Sequence, residues 1–141
     1  MPTRKANAMW EGGLQSGKGT FKGESGQIGA SYSFGTRFGE QKGSNPEELL
    51  AAAEAACFSM ALAVGLEQAG TPATKIETEA ACTVEKQAAG FKITTMKLVV
   101  RGTVPGIDQA KFEQMAQTTK ATCPVSVALA GVEISVQATL G

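Results

Sequence analysis

NPEELLAAAEAACFSMALAVGLEQAG, residues 45–70, reads as one long helix around which the rest of the chain is arranged. Asn45 is a good helix N-cap, Pro46 fits the first helical position, and Glu47 and Glu48 place negative charge in the first turn. Glu48 also completes a capping-box spacing from Asn45. Gly70 followed by Pro72 reads as a stop. Between these signals Leu49 to Leu66 is almost wholly apolar, interrupted by Glu54, Ser59 and Gly65. A helix that is apolar all round has to be surrounded. Cys57 lies at its middle, on the face shared with Leu50, Ala53, Met60, Ala61 and Val64. Such a helix is roughly 36 Å long, whereas a compact domain of this length has a radius of gyration near ~14 Å. One chain would struggle to cover it, and a dimer is expected.

Working outward, the chain of 141 residues suits a single domain, 1–141, with one core. Its 13 Lys and Arg balance 13 Asp and Glu, and no basic run is visible, so nucleic acid is not expected as a partner. The 45–70 stretch is barely long enough for a bilayer, is rich in Ala and carries Glu54; it reads as a core helix, not a membrane span. Met1 to Asn7 lacks an apolar signal region, which predicts a cytoplasmic chain.

On the N-terminal side, Ala6–Glu11, Gly19–Glu24 and Gly29–Phe34 read as short strands separated by glycines. Gly35 to Ser44 is polar and glycine-bearing, which predicts a loop, with Arg37 and Lys42 as its cations. On the C-terminal side, residues 76–86 alternate. Ile76, Ala80, Cys82 and Val84 lie on one face, and Glu77, Glu79, Thr83 and Glu85 on the other. Gln87–Gly90 turns the chain and Phe91–Arg101 returns, a half-buried antiparallel pair. Asp108 caps a second helix over 108–121 carrying Phe112, Met115, Ala116 and Thr119. A short third helix starts at Thr122-Cys-Pro124 and stops at Gly131. Residues 132–140 alternate again as a last strand. The fold class is α+β, in the order β3-α-β2-α2-β, the numerals counting consecutive elements.

The chemistry rests on the thiols. The chain has no histidine, which removes His metal sites, Cys–His pairs and Ser–His–Asp triads together. Three cysteines in an expected cytosolic chain argue for a reactive or buried thiol and against a disulfide framework. No two have the spacing of a zinc knuckle, and no metal is expected. Cys82 shares the apolar face of its strand and reads as a small hydrophobe. Cys57, mid-helix among Ala, Leu and Met, has the same bland reading beside a reactive one. Cys123, just before Pro124 at a helix start, is where the helix dipole lowers a thiol pKa, and position alone favours it as the more acidic thiol. A reactive Cys57 needs an imported cation, because the dipole fades within a turn and Glu54 opposes a thiolate. Arg37 is the best candidate, since a guanidinium keeps its charge in a dry site.

The blocks Gly35-Thr-Arg-Phe38, Lys42-Gly-Ser-Asn-Pro-Glu-Glu-Leu49, Ala55-Ala-Cys-Phe-Ser-Met-Ala-Leu62, Val104-Pro-Gly-Ile107 and Cys123-Pro-Val-Ser126 resemble the OsmC branch of the OsmC/Ohr family of thiol peroxidases. The resemblance begins at Ala8-Met-Trp-Glu-Gly12 and covers essentially the whole chain. It implies an intertwined homodimer with buried central helices. It implies Cys57 as the peroxidatic cysteine, Cys123 as the resolving cysteine, Arg37 as the activating arginine and Glu47 as its carboxylate partner. It also implies an organic hydroperoxide as substrate, a dithiol as reductant, a role in stress defence, and no metal, flavin or haem. The family assigns no role to Cys82. Glu47 and Cys57 are ten residues apart on one helix, about 15 Å in rise, so Arg37 and Glu47 are expected to act on Cys57 of a partner chain. Phe38, Phe58 and Met60 are expected near the substrate. Other classes remain: a non-enzymatic stress or ligand-binding protein, a redox sensor, and a thiol hydrolase using Cys123, which the missing histidine disfavours.

Overall fold

The computed structural model describes residues 1–141, which pack as two compact units, Met1–Leu49 and Leu50–Gly141. The first holds strands β1 (Ala6–Glu11), β2 (Lys18–Gly23) and β3 (Gly29–Tyr32), then a short helix α1 (Phe34–Phe38). Its sheet is an antiparallel meander in the order β1-β2-β3. Tyr32 is the hub of its aromatic side, with ring centroids 5.4 Å from Trp10 and 5.8 Å from Phe21. Gly19 makes room for that ring, since a Cβ there would come within 2.5 Å of Tyr32. Every residue of β1 is exposed.

The sequence predicts a loop over Gly35–Ser44, and the structure corrects its first part to α1. The reason is local. Ser33 and Thr36 cap each other: the Ser33 hydroxyl accepts from the Thr36 N–H, and the Thr36 hydroxyl accepts from the Ser33 N–H. This reciprocal box stabilises one helical turn that the surrounding glycines conceal.

Helix α2 (Pro46–Gln68) starts and stops close to the predicted signals. Asn45 accepts from the Glu48 N–H at 2.8 Å and uses its amide N–H to bind the Thr36 carbonyl at 2.9 Å, tying α1 to the start of α2. Gly70, at φ +83, ends the helix. By length and a mean hydropathy of 1.9 it could cross a membrane.

The second unit contains most of α2, then β4 (Lys75–Gln87), β5 (Gly90–Thr103), α3 (Gln109–Thr122), α4 (Pro124–Ala128) and β6 (Glu133–Leu140). β4 and β5 form the predicted antiparallel hairpin, and β6 adds in parallel to β5. Alternation holds along β4 as far as Val84 and along β6, with even-numbered residues turned inward. Asp108 caps α3 through the Lys111 N–H, and Phe112, Ala116 and Thr119 are its buried face. Gln109 fastens α3 to β6, donating to the Ala138 carbonyl and accepting from the Leu140 N–H.

The core gathers Phe58, Leu62 and Leu66 of α2, Met96, Leu98 and Val100 of β5, and Phe112 and Ala116 of α3. The single chain buries one stripe of α2, beside the face that carries Cys57, and leaves part of the helix uncovered. The stripe is Glu54, Phe58, Leu62, Leu66, spaced by four residues, while Met60 and Val64 are 74% and 45% exposed. Phe58 is therefore core, not the lining of an open pocket. In a helix apolar on every side no periodicity selects the buried stripe, so the sheet and α3 select it.

Candidate active site

The geometry consists of two clusters, one in each unit. In the second, Cys57 and Cys123 meet. The Cys123 thiol donates toward Cys57 with the sulfurs 3.1 Å apart. Cys57 is half-buried in the middle of α2 and Cys123 is fully buried. Cys123 ends α3 and precedes α4 with φ −57° and ψ 124°. Pro124 dictates this, because the residue before a proline is pushed out of the helical region. Thr122-Cys-Pro124 thus breaks one helix and starts the next, and the break presents the thiol to α2.

The Cys57 thiol is pushed above its ordinary value. Burial is the largest cause; the neighbouring Cys123 thiol and the Glu54 charge add to it, and the Val125 backbone N–H opposes them. No cation is among these groups. Glu54, which the sequence presents as an interruption of an apolar run, is fully buried and accepts a hydrogen bond from the Ser126 hydroxyl.

In the first unit, Arg37 and Glu47 form a two-pronged pair. Arg37 Nη2 lies 2.9 Å from Glu47 Oε1, and Nε lies 3.2 Å from both carboxylate oxygens. Glu47 is buried at the start of α2, and Arg37 lies in the last turn of α1 with its guanidinium 4.9 Å above the Phe38 ring. This planar, bidentate geometry is one that lysine does not reproduce. Arg37 also lines a cavity of about 240 Å³ with Trp10, Leu14, Tyr32, Phe34 and Phe38. The cavity is aromatic with one cation at its wall, and of the residues expected near a substrate it contains Phe38. A larger cavity of about 830 Å³ runs along β1 and β2 and includes none of the predicted site residues.

The predicted residues are thus brought together as two pairs, Cys57 with Cys123 and Arg37 with Glu47. Cys82 lies on the inner face of β4, packed against the core, as expected for a small hydrophobe. Sequence reasoning missed Ser126 and the buried position of Glu54. The available signal was spacing: Glu54 precedes Cys57 by three residues, and Ser126 follows Cys123 by three.

A family model described as OsmC-like protein matches residues 39–137. The chain is 49% identical over 127 residues to peroxiredoxin OsmC of Escherichia coli (strain K12), covering 89% of each. It is 34% identical over 95 residues to the organic hydroperoxide resistance protein OhrA of Bacillus subtilis (strain 168), covering 64% of this chain and 63% of that one. Among solved structures, OhrB of Bacillus subtilis superposes with a TM-score of 0.75 at 26% identity, covering 96% of this chain and 98% of that one. A hydroperoxide resistance protein from Elizabethkingia anophelis superposes with a TM-score of 0.77 over 99% of each chain; at 23% identity it speaks for the fold alone.

Proposed function

The chain belongs to the OsmC-like protein family, and from that membership we propose that it is a cysteine-based peroxidase that reduces organic hydroperoxides to alcohols. The observation that carries the reading is the pair of thiols 3.1 Å apart, in a chain 49% identical to a peroxiredoxin. The substrate class follows from the hydroperoxide resistance protein among its relatives, and the aromatic cavity beside Arg37 suits an organic tail.

Cys57 attacks the distal oxygen of ROOH as its thiolate. The O–O bond breaks, the alcohol leaves with a proton, and Cys57 becomes a sulfenic acid. Cys123 then attacks that sulfur, forming a Cys57–Cys123 disulfide and releasing water. A dithiol reopens the bridge by exchange. Arg37 stabilises the thiolate, and Glu47 orients Arg37.

Glu47 and Cys57 stand ten residues apart on α2, about 15 Å in helix rise. We therefore assign Arg37 and Glu47 of one chain to Cys57 and Cys123 of a partner chain, in an intertwined homodimer whose central helices cover each other. The exposed Met60 and Val64 on α2 and the uncovered β1 support such an assembly. Each chain would be one domain, 1–141, working in the cytoplasm.

The test is consumption of tert-butyl hydroperoxide by reduced protein with excess dithiol. Cys57→Ser abolishes turnover, Cys123→Ser accumulates a trappable sulfenic acid, and Cys82→Ser stays near normal. Undiminished turnover in Cys57→Ser refutes the mechanism; an inactive wild-type protein returns the reading to a non-enzymatic binding protein.

A further inference from the structure

Helix α2 and the start of α4 are bridged twice. Cys57 meets Cys123, and Glu54 accepts a hydrogen bond from Ser126. Residues three apart on a helix are neighbours, so the Glu54 carboxylate stands beside Cys57, on which its charge acts. Glu54 is completely buried. One oxygen takes the Ser126 hydroxyl; the other, Oε2, is buried with no hydrogen-bond partner. The two salt bridges, Arg37–Glu47 and Lys75–Glu77, leave Glu54 without a cation. A buried carboxylate oxygen with no donor is costly, and an apolar side chain in line with Phe58, Leu62 and Leu66 would avoid that cost. The cysteine chemistry, meanwhile, needs a proton acceptor in a chain with no histidine.

We propose that Glu54 carries the proton of the resolving step, with Oε2 as the atom that takes it up and Ser126 as the clamp that holds the carboxylate. The inference rests on the peroxidase reading above. Once Cys57 is a sulfenic acid, the Cys123 S–H proton passes to Oε2. The Cys123 thiolate attacks Cys57 Sγ, the S–S bond forms and the S–OH bond breaks. The departing hydroxide takes the proton back from Glu54 and leaves as water. Cys123 is oxidised, the Cys57 sulfur is reduced from sulfenic acid to disulfide, and Glu54 is restored as carboxylate. The titratable group on which its charge acts is Cys57 of its own helix, and Cys57 in turn holds the Cys123 thiol.

The experiment is a single turnover of the full-length, reduced protein with one equivalent of tert-butyl hydroperoxide. Sulfenic acid is followed by dimedone trapping, and disulfide by quenching and alkylating the remaining thiols. Glu54→Gln keeps the size and the acceptor for Ser126 but cannot take up a proton. It should oxidise Cys57 at least as fast as wild type, since a negative charge is gone. It should form the disulfide about 10²-fold more slowly, within the range of a lost general base. The pH profile separates proton transfer from mere support. Disulfide formation in Glu54→Gln should depend more steeply on pH than in wild type, because hydroxide from solvent must then take the Cys123 proton. Disulfide formation in Glu54→Gln at the wild-type rate, or slowed with an unchanged profile, overturns the proposal. A wild-type protein that forms no sulfenic acid strikes the peroxidase reading itself and takes this proposal with it.

Discussion

At the residue scale the central tension is between Cys57 and its own chain. Burial, Cys123 and Glu54 all push its thiol up, against the Val125 N–H alone, yet the nucleophile is the thiolate. A thiol held above its ordinary value is mostly protonated at neutral pH and gains thiolate as pH rises. The proposed function resolves this with Arg37 from a partner chain. The expected consequence is that Arg37→Ala displaces the pH profile of Cys57 alkylation upward and lowers peroxide consumption at neutral pH about 10²-fold, a deficit that shrinks as pH rises. Alkylation rates of both proteins across pH check it. Arg37→Lys should recover little, since the guanidinium spends two nitrogens on Glu47 and an ammonium cannot reproduce that fork. Neither pairing was legible from Cys57 alone. Sequence placed the thiol correctly on a helix, but the identities of its neighbours depend on the turn at Cys123-Pro124.

At the element scale, the caps and the close approaches carry the fold. Asn45→Ala removes the cap of α2 and the bond to the Thr36 carbonyl. It should cost about 1 kcal/mol, read as a melting temperature lower by about 2–4 °C. Gly102 lies on β5 under α3, where a Cβ would come within 2.5 Å of the Phe112 ring. Gly102→Ala should therefore destabilise by roughly 1–3 kcal/mol through overpacking. Gly131→Ala, with open space around it, should remain close to wild type in the same thermal melts. These elements were largely readable, since alternation and capping residues are local signals. Helix α1 was not, because its reciprocal Ser33–Thr36 box sits in a segment whose glycines signal a loop.

At the scale of the whole molecule, α2 presents more apolar surface than one chain covers. Met60 and Val64 remain exposed on a helix whose other side holds the core. If a second copy covers them, Met60→Asp combined with Val64→Asp should convert the dimer to a monomer in sedimentation. The same variant should lose peroxide turnover, because Arg37 and Cys57 would then belong to separated chains. A stable, active monomer would refute the shared site. The long apolar helix, the β4–β5 hairpin, α3 and the last strand could be read along the chain, because capping residues and periodicities of 2 and 3.6 act between near neighbours. The chain's family motifs also singled out Cys57, Cys123, Arg37 and Glu47. Which stripe of α2 is buried, the parallel pairing of β6 with β5, and the meeting of Glu54 with Ser126 emerge from packing between distant segments. The physical reason is that a helix apolar all round carries no preferred face. Its orientation is set by the shape of what packs against it, and that shape is written in residues far away along the chain.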